Sequence, residues 1–265
     1  MKKLIPLLLL MVSMPSLAQR QFDIEVLIFK RAVDAEQTKE AWPNVMPEIN
    51  VTNARSFQDA SYRSSKGVQM LGYNQYELTE QKDKLQKHAG FKVLLHTAWR
   101  QGDQGRASAP VFRIQAGQDF SDKFNSDGSS KEDGSNTTSV NGIQEQSIDN
   151  PLYELDGKFQ VYVQHYLYAE TTLDLKAPSV REVILEDRQL DLNTETESLD
   201  PNTTFENTTV QVGNLEDVSP EVRVEEFLKS YRMDQKRRMR STETHYLDHP
   251  LMGIIIQVRR VPQAS

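Results

Sequence analysis

The 265-residue chain contains no cysteine, and beyond its first twenty residues it has no long apolar run. The missing cysteines exclude disulfides, thiolate metal sites and cysteine nucleophiles. A transmembrane helix would need roughly 20 consecutive apolar residues, and the sequence holds no such stretch. Basic residues are outnumbered by acidic ones, with 31 Lys and Arg against 38 Asp and Glu, which gives a formal net charge of −7. A chain of this sign binds nucleic acid or anionic lipid only through a local basic patch.

Enzyme motifs are absent as well. The sequence contains no G-x-S-x-G elbow, no S-x-x-K, no phosphate-binding G-x-x-x-x-G-K-[ST] and no H-E-x-x-H. Scattered carboxylates could form an acid–base pair, but nothing in the sequence selects one. We therefore favour a non-catalytic function with no cofactor and no metal. A cell-wall hydrolase with an unrecognised active site and a structural or chaperone-like envelope protein are the alternatives.

The N-terminus has the pattern of a secretory signal peptide. Lys2 and Lys3 precede an apolar run over residues 4–12, and Ser16-Leu17-Ala18 forms a small-x-small cleavage site. We expect residues 1–18 to be cleaved after Ala18, which leaves residues 19–265 as a single domain. No cysteine follows the cleavage site to carry a lipid. An exported chain without cysteine suits a bacterial periplasm, and no membrane insertion is expected after cleavage.

Hydrophobic periodicity predicts an α+β fold, with a mostly antiparallel β-sheet and about two helices packed on it. Strands are predicted at residues 22–29, 91–99, 231–240 and 251–258, and the first should lie inside the sheet. The longest alternating run covers residues 159–175, and a strand at 180–185 follows a turn at Pro178. Helices are predicted to start near Thr79 and at Ser219-Pro220-Glu221, the latter with Val224, Phe227, Leu228 and Tyr231 at helical spacing.

Two long polar insertions interrupt this pattern. A mobile insertion is predicted at about residues 117–149, because residues 121–142 hold only Phe124 and Val140 as large apolar side chains. Such a segment should be dispensable for folding. A second, acidic loop is predicted at about residues 191–209.

The histidines favour structural roles. His245 and His249 flank Asp248 and could bind zinc if they lay on a helix, but Pro250 and the neighbouring strands predict a turn instead. His165 is predicted to be a hydrogen-bonded histidine of the core.

A basic run is the first candidate binding surface. Eight Lys and Arg lie between Lys229 and Arg260, against three acids. The run fits either a solvated strand edge or a site for anionic groups, because guanidinium binds carboxylates through paired hydrogen bonds. For the site we propose Arg237, Arg238 and Arg240, joined by Arg100 if its strand is a neighbour.

A tyrosine-rich strand face is the second candidate. Tyr162, Tyr166 and Tyr168 are predicted to share one side of the long alternating run. They could stack on sugar rings or pack beneath a helix or loop. The residues alone leave both possibilities open.

Three passages together resemble one family. They are Phe22-Asp23-Ile24-Glu25-Val26-Leu27-Ile28-Phe29, Val93-Leu94-Leu95-His96-Thr97-Ala98-Trp99-Arg100-Gln101, and the C-terminal Arg237-Arg238-Met239-Arg240-Ser241 with His245-Tyr246-Leu247-Asp248-His249-Pro250 up to Gly253. In this order they resemble the CsiV peptidoglycan-binding proteins of marine and related gammaproteobacteria. The two polar insertions match nothing in that family.

The resemblance implies a soluble periplasmic protein that binds peptidoglycan. It also implies support for cell-wall synthesis by a bifunctional class A penicillin-binding protein and its outer-membrane lipoprotein activator. No catalytic or ligand-contacting residue carries over from the family. The candidate residues above therefore depend on charge and aromatic pattern alone.

Overall fold

The computed structural model describes residues 20–131, 151–184 and 222–262, and in these ranges it contains ten strands and two short α-helices. The strands are β1 (Gln21–Arg31), β2 (Arg55–Ser56), β3 (Gln69–Met70), β4 (Phe91–Gly102), β5 (Val111–Asp119), β6 (Tyr153–Val163), β7 (Leu167–Ile184), β8 (Val222–Met239), β9 (Thr244–Asp248) and β10 (Met252–Arg260). The helices are α1 (Ala60–Ser65) and α2 (Thr79–Lys87). The predicted signal peptide and acidic loop lie outside the described residues.

The strands form two five-stranded sheets. Sheet A has the order β3-β4-β1-β10-β9, and sheet B has the order β2-β5-β6-β7-β8. Every pair is antiparallel except β2 with β5. The predicted α+β class with mostly antiparallel strands is confirmed. β1 lies in the middle of sheet A, as its apolar residues on both faces predict.

One hydrophobic core joins the two sheets face to face. Trp99 on β4 lies with its ring centroid 5.3 Å from that of Phe112 on β5 and 6.2 Å from that of Phe159 on β6. Ile24 and Val258 complete the inner face of sheet A and are fully buried. Each sheet therefore buries one face in the shared core. Its other face is either covered by other parts of the chain or exposed to solvent.

The outer faces of the two sheets differ in their covering. On sheet A, α2 packs against β4, and Leu78 just before the helix is buried. The helix occupies nearly the predicted position. On sheet B, residues 44–51 cross part of the outer face, where the Asn50 carbonyl accepts from Lys158 and the Pro47 carbonyl accepts from Arg232. The rest of that outer face is more open.

The predicted helix is wrong over residues 222–231, because the structure has β8 there. Its predicted start at Ser219-Pro220-Glu221 lies outside the described residues. Val222–Met239 pairs with β7 over eighteen consecutive residue pairs. In this strand Phe227 and Tyr231 both face the side that carries the core, while Leu228 points outward and is still buried. The long ladder satisfies the backbone groups that β7 and β8 turn toward each other, so tertiary pairing overrides a local spacing that suits a helix.

The long alternating run is a hairpin and not one strand. β6 ends at Val163 and β7 begins at Leu167, so His165 lies exposed in the turn and the prediction of a core histidine is wrong. The predicted turn at Pro178 is also wrong, because β7 continues through it to Ile184. β6 stops pairing at Leu175, and beyond it β7 has only β8 as a neighbour within the described residues. A proline without an N–H group is tolerated at such an edge.

Part of the polar insertion packs on the fold, contrary to expectation. Phe124 is only 2% exposed and forms a small apolar cluster with Phe120, Leu152 and Leu228. The adjoining loop also hydrogen-bonds to β8, since the Gly128 carbonyl accepts from the Leu228 N–H at 2.7 Å. Residues 132–150 lie outside the described residues. The docking of Phe124 argues against dispensability of this part of the insertion.

We predict that Phe124→Ala lowers the free energy of unfolding by about 3 kcal/mol, because it empties the centre of this cluster. Urea denaturation followed by circular dichroism measures the change. Val45→Ala is the control, since Val45 is exposed and its truncation should change stability by less than about 0.5 kcal/mol. Equal stability of the two variants would show that the insertion does not dock.

Candidate functional site: the outer face of sheet B

The β6–β7 hairpin brings the predicted tyrosines and one end of the basic run together. Tyr162 pairs with Tyr168 across the hairpin, and Tyr168 pairs with Arg238 on β8. The Tyr162 and Tyr168 rings stack with centroids 5.4 Å apart. Tyr162 is fully buried, so its ring supports the surface from beneath.

Two cations lie on the aromatic rings of this hairpin. The Arg238 guanidinium sits 4.6 Å from the ring centroid of Tyr166, which is 54% exposed in the turn. The Lys236 ammonium sits 5.0 Å from the Tyr168 ring centroid. We name Tyr166, Tyr168, Lys236 and Arg238 together the hairpin surface. The basic run and the tyrosine face, which the sequence left as alternatives, meet in one place.

The other three predicted arginines lie elsewhere. Arg100 is on β4 of sheet A, where it binds both oxygens of Asp23 at 2.6 and 2.9 Å. The condition for including Arg100, that its strand neighbours β8, is therefore not met. Arg237 alternates with Arg238 and projects from the opposite side of β8. Arg240 follows the end of the strand and pairs with Glu243 at 3.6 Å. Only Arg238 of the four belongs to the hairpin surface.

A groove beside the hairpin surface was missed by sequence reasoning. Its volume is about 620 Å³, and it lies between the loop before β2, helix α1 and the outer face of sheet B. We name it the basic groove, and its lining residues are Thr52, Asn53, Arg55, Tyr62, Lys66, Arg106, Ala107, Val111 and Gln160. Three of them are cations, and none of the described lining residues is acidic. The cations come from separate parts of the chain, so no sequence run could indicate them.

Arg106 connects the basic groove to the hairpin surface. Its guanidinium binds both oxygens of Glu170 at 2.6 and 2.9 Å. Hydrogen bonding from Arg106 holds the pKa of Glu170 below its usual range. Glu170 is on β7, directly opposite Lys236 of the hairpin surface. The two features are therefore parts of one continuous outer face.

A second cavity, of about 490 Å³, lies at the other end of that face beneath residues 44–51. Its main charged groups already pair with one another. Arg113 binds Asp156, and Arg232 binds Asp174, each through two hydrogen bonds of 2.7 to 3.0 Å. These pairs neutralise the cavity wall, so it offers less attraction to an anion than the basic groove does.

Buried carboxylates in the fold have structural partners. Glu25 on β1 is fully buried, and its oxygens accept hydrogen bonds from the backbone N–H groups of Glu77 and Leu78 and from Arg259, at 2.8 to 2.9 Å. His96 Nε2 lies 2.8 Å from the same carboxylate. Burial alone would raise the pKa of Glu25, but these hydrogen bonds outweigh it and lower the pKa. The ionised carboxylate of Glu25 therefore attaches the backbone just before α2 to sheet A, as a pin for this helix.

Glu154 has a comparable role between the sheets. It lies on β6 and pairs with Lys30 of β1 and with Lys92 of β4. Burial would raise its pKa, but hydrogen bonds from Lys30, Gln118 and Lys92 lower it instead. A general acid at neutral pH needs a raised pKa, so neither buried glutamate has the electrostatics of one. Sequence reasoning missed both, because Glu25 shares β1 with Asp23 and Glu154 shares β6 with Asp156, and the pattern does not distinguish the buried acid from its neighbour.

The predicted turn around Asp248 and His249 is present between β9 and β10. His249 is buried beside Trp42, with ring centroids 5.1 Å apart, and its Nδ1 accepts from the Leu251 N–H at 3.2 Å. Burial lowers the pKa of His249. In the described part of the chain, no group of three or more His, Asp or Glu residues is arranged to hold a metal ion. No helix within the described ranges is long and apolar enough to span a bilayer.

Fold and surface together define a two-sheet α+β protein whose open sheet face presents exposed aromatic and cationic groups, an arrangement typical of binding proteins. The chain belongs to the CsiV family, because the family model described as "Peptidoglycan-binding protein, CsiV" matches residues 2–261. The resemblance seen in the sequence is thereby confirmed. No curated protein and no solved structure gives a significant match.

We predict that Glu25→Gln destabilises the protein by about 3–5 kcal/mol at neutral pH, because an amide has only one acceptor oxygen for this set of donors and removes the buried negative charge that faces Arg259. The folded pKa of Glu25 lies below its unfolded value, so its stabilisation is present above the unfolded pKa and is lost as pH falls through the folded pKa. The difference between variant and wild type should therefore shrink below about pH 4.5.

Urea unfolding at neutral and acidic pH measures this difference. Glu80→Gln is the matched control, since Glu80 is exposed on α2 and pairs only with Lys84 in the described structure. The Glu80→Gln variant should unfold with nearly the same free energy as wild type at both pH values. A Glu25→Gln protein as stable as wild type at neutral pH would contradict the assignment of Glu25 as the pin for α2.

Proposed function

We propose that this protein binds peptidoglycan non-catalytically through the hairpin surface on the outer face of sheet B. Membership of a family described as peptidoglycan-binding supports the ligand. The placement of Arg238 over the exposed Tyr166 ring supports the location. Stacking on a tyrosine occupies the face of the guanidinium and leaves the N–H donors at its edge available to a carboxylate.

The chemistry of the ligand fits this surface. Peptidoglycan combines sugar rings with stem peptides that carry free carboxylates. An exposed aromatic ring offers an apolar contact to a sugar, and Arg238 and Lys236 offer charge-assisted hydrogen bonds to carboxylates. The whole chain has a net charge of −7, so long-range electrostatics oppose association and a local cationic surface must offset them.

We further propose that the protein is exported to the periplasm and supports wall synthesis there. The signal-peptide pattern at residues 1–18 supports export, and intact-mass analysis of the periplasmic protein would test cleavage after Ala18. Resemblance to the family supports action with a class A penicillin-binding protein and its lipoprotein activator. Glycan polymerisation by the purified pair, with and without this protein, tests that role. An unchanged rate would contradict it.

We predict that Tyr166→Ala combined with Arg238→Gln weakens binding to purified sacculi by roughly fivefold, because it removes both members of the exposed cation–aromatic pair. Co-sedimentation of the mature protein with sacculi measures the change. Salt at 1 M should also weaken wild-type binding, since it shortens the Debye length to about 3 Å. The supernatant should contain no released muropeptides, and their release would favour the hydrolase alternative.

The matched control is Tyr73→Ala combined with Arg260→Gln. These two residues are exposed on the part of the molecule built by sheet A, and the pair of changes alters charge and aromatic content equally. It should pellet with sacculi as wild type does. If the Tyr166 and Arg238 variant, shown by circular dichroism to be folded, pellets equally well, the hairpin surface is not the wall-binding site.

A further inference from the structure

We propose that the basic groove binds a free carboxylate of a peptidoglycan stem peptide, as a second subsite next to the hairpin surface. The inference rests on the proposed function for the identity of the polymer. It assigns the two features to different parts of that polymer. The hairpin surface contacts the sugar rings and the carboxylates next to them, and the basic groove takes a further free carboxylate of the stem peptide.

The first argument is the unbalanced charge of the groove. Arg55, Lys66 and Arg106 all line it, and within the described residues only Arg106 has a carboxylate partner. In the second cavity, beneath residues 44–51, Arg113 and Arg232 are each matched by an aspartate. An anion entering the basic groove therefore meets two cations with no carboxylate to displace.

The second argument is that these two cations are already held in place. Arg55 Nη1 donates to the backbone carbonyls of Thr52 and Ala54, at 2.8 and 3.0 Å. Lys66 Nζ donates to the Ser108 carbonyl at 2.9 Å. Neutral carbonyls fix the side chains without cancelling their charge, so less side-chain entropy is lost when a ligand binds.

The third argument is the size and the wall of the groove. A volume of about 620 Å³ lies within the usual range of roughly 300–1,000 Å³ for small-ligand sites. Tyr62, Ala107 and Val111 give it an apolar side, against which the aliphatic part of a short peptide can pack. The Tyr62 hydroxyl is engaged with the backbone of Val111, which holds the ring in position. The groove thus combines an apolar wall with two fixed cations, as a peptide carboxylate requires.

The experiment compares a soluble stem peptide with peptide-free glycan. The peptide probe is L-Ala–γ-D-Glu–meso-diaminopimelate, used both with free carboxylates and in a fully amidated form, and isothermal titration calorimetry measures binding. The variant is Arg55→Gln with Lys66→Gln in the full mature chain. The control is Lys39→Gln with Lys87→Gln, which removes the same charge from exposed positions outside the groove.

We expect wild type and control to bind the free tripeptide and to bind the amidated form roughly tenfold more weakly. The groove variant should lose a similar factor for the free tripeptide, while it still binds peptide-free glycan strands. The Tyr166 and Arg238 variant should lose more affinity for the peptide-free glycan strands than for the free tripeptide. Those results would support separate glycan and peptide subsites.

Two outcomes overturn the proposal. One is a folded groove variant that binds the free tripeptide as wild type does, and the other is wild type that does not distinguish free from amidated peptide. In either case, continued sedimentation of wild type with sacculi would leave the proposed function intact and reject only the groove. Loss of sacculus binding by wild type would reject the proposed function itself.

Discussion

The packing of the two sheets against each other is the constraint on which the rest of the molecule depends. Trp99 of sheet A contacts Phe112 and Phe159 of sheet B, and this contact buries one face of each sheet in a single core. Burial of this kind is the main driving force for folding. It also decides which surfaces remain for function, because only the two outer faces are left.

The outer faces of the two sheets differ in whether their charged groups are paired. On sheet A, the buried carboxylate of Glu25 holds the chain leading into α2, and Arg100 is neutralised by Asp23. Sheet B keeps exposed rings and cations at its hairpin end, where Arg238 and Lys236 have no ion pair within 4 Å among the described residues. A chain with a net negative charge can thus carry a local cationic surface without disturbing its core.

Much of the fold was predictable because strands with one or two buried faces leave a clear alternation. β1, β4 and β10 were found this way, as was α2 from its flanking signals. The second half of β8 was predicted as a strand at residues 231–240. Its first half was misassigned because Val224, Phe227, Leu228 and Tyr231 have helical spacing, and only the partner strand β7 shows that this half is extended. A local pattern cannot reveal a ladder in which Val224 pairs with Glu182 and Tyr231 pairs with Leu175, more than forty residues earlier in the chain.

The sequence predicted which residue types form the candidate site, but it did not predict which of these residues come into contact. Tyr166 and Arg238 were each identified, but their contact depends on the pairing of β7 with β8, which the sequence does not specify. Arg100 was grouped with them because its charge fits, although it lies in the other sheet and pairs with Asp23. The basic groove was missed because Arg55, Lys66 and Arg106 form no run in the sequence.

The most direct test of this account is to map the ligand onto the folded protein. Soluble disaccharide-peptide fragments of peptidoglycan would be titrated into ¹⁵N-labelled protein of residues 19–265, and amide chemical shifts would be followed by NMR. We predict that the largest changes fall on the outer face of sheet B, at residues 164–168 and 236–238 and around Arg55 and Arg106. Changes confined to sheet A, or to α2 and β9, would contradict the account.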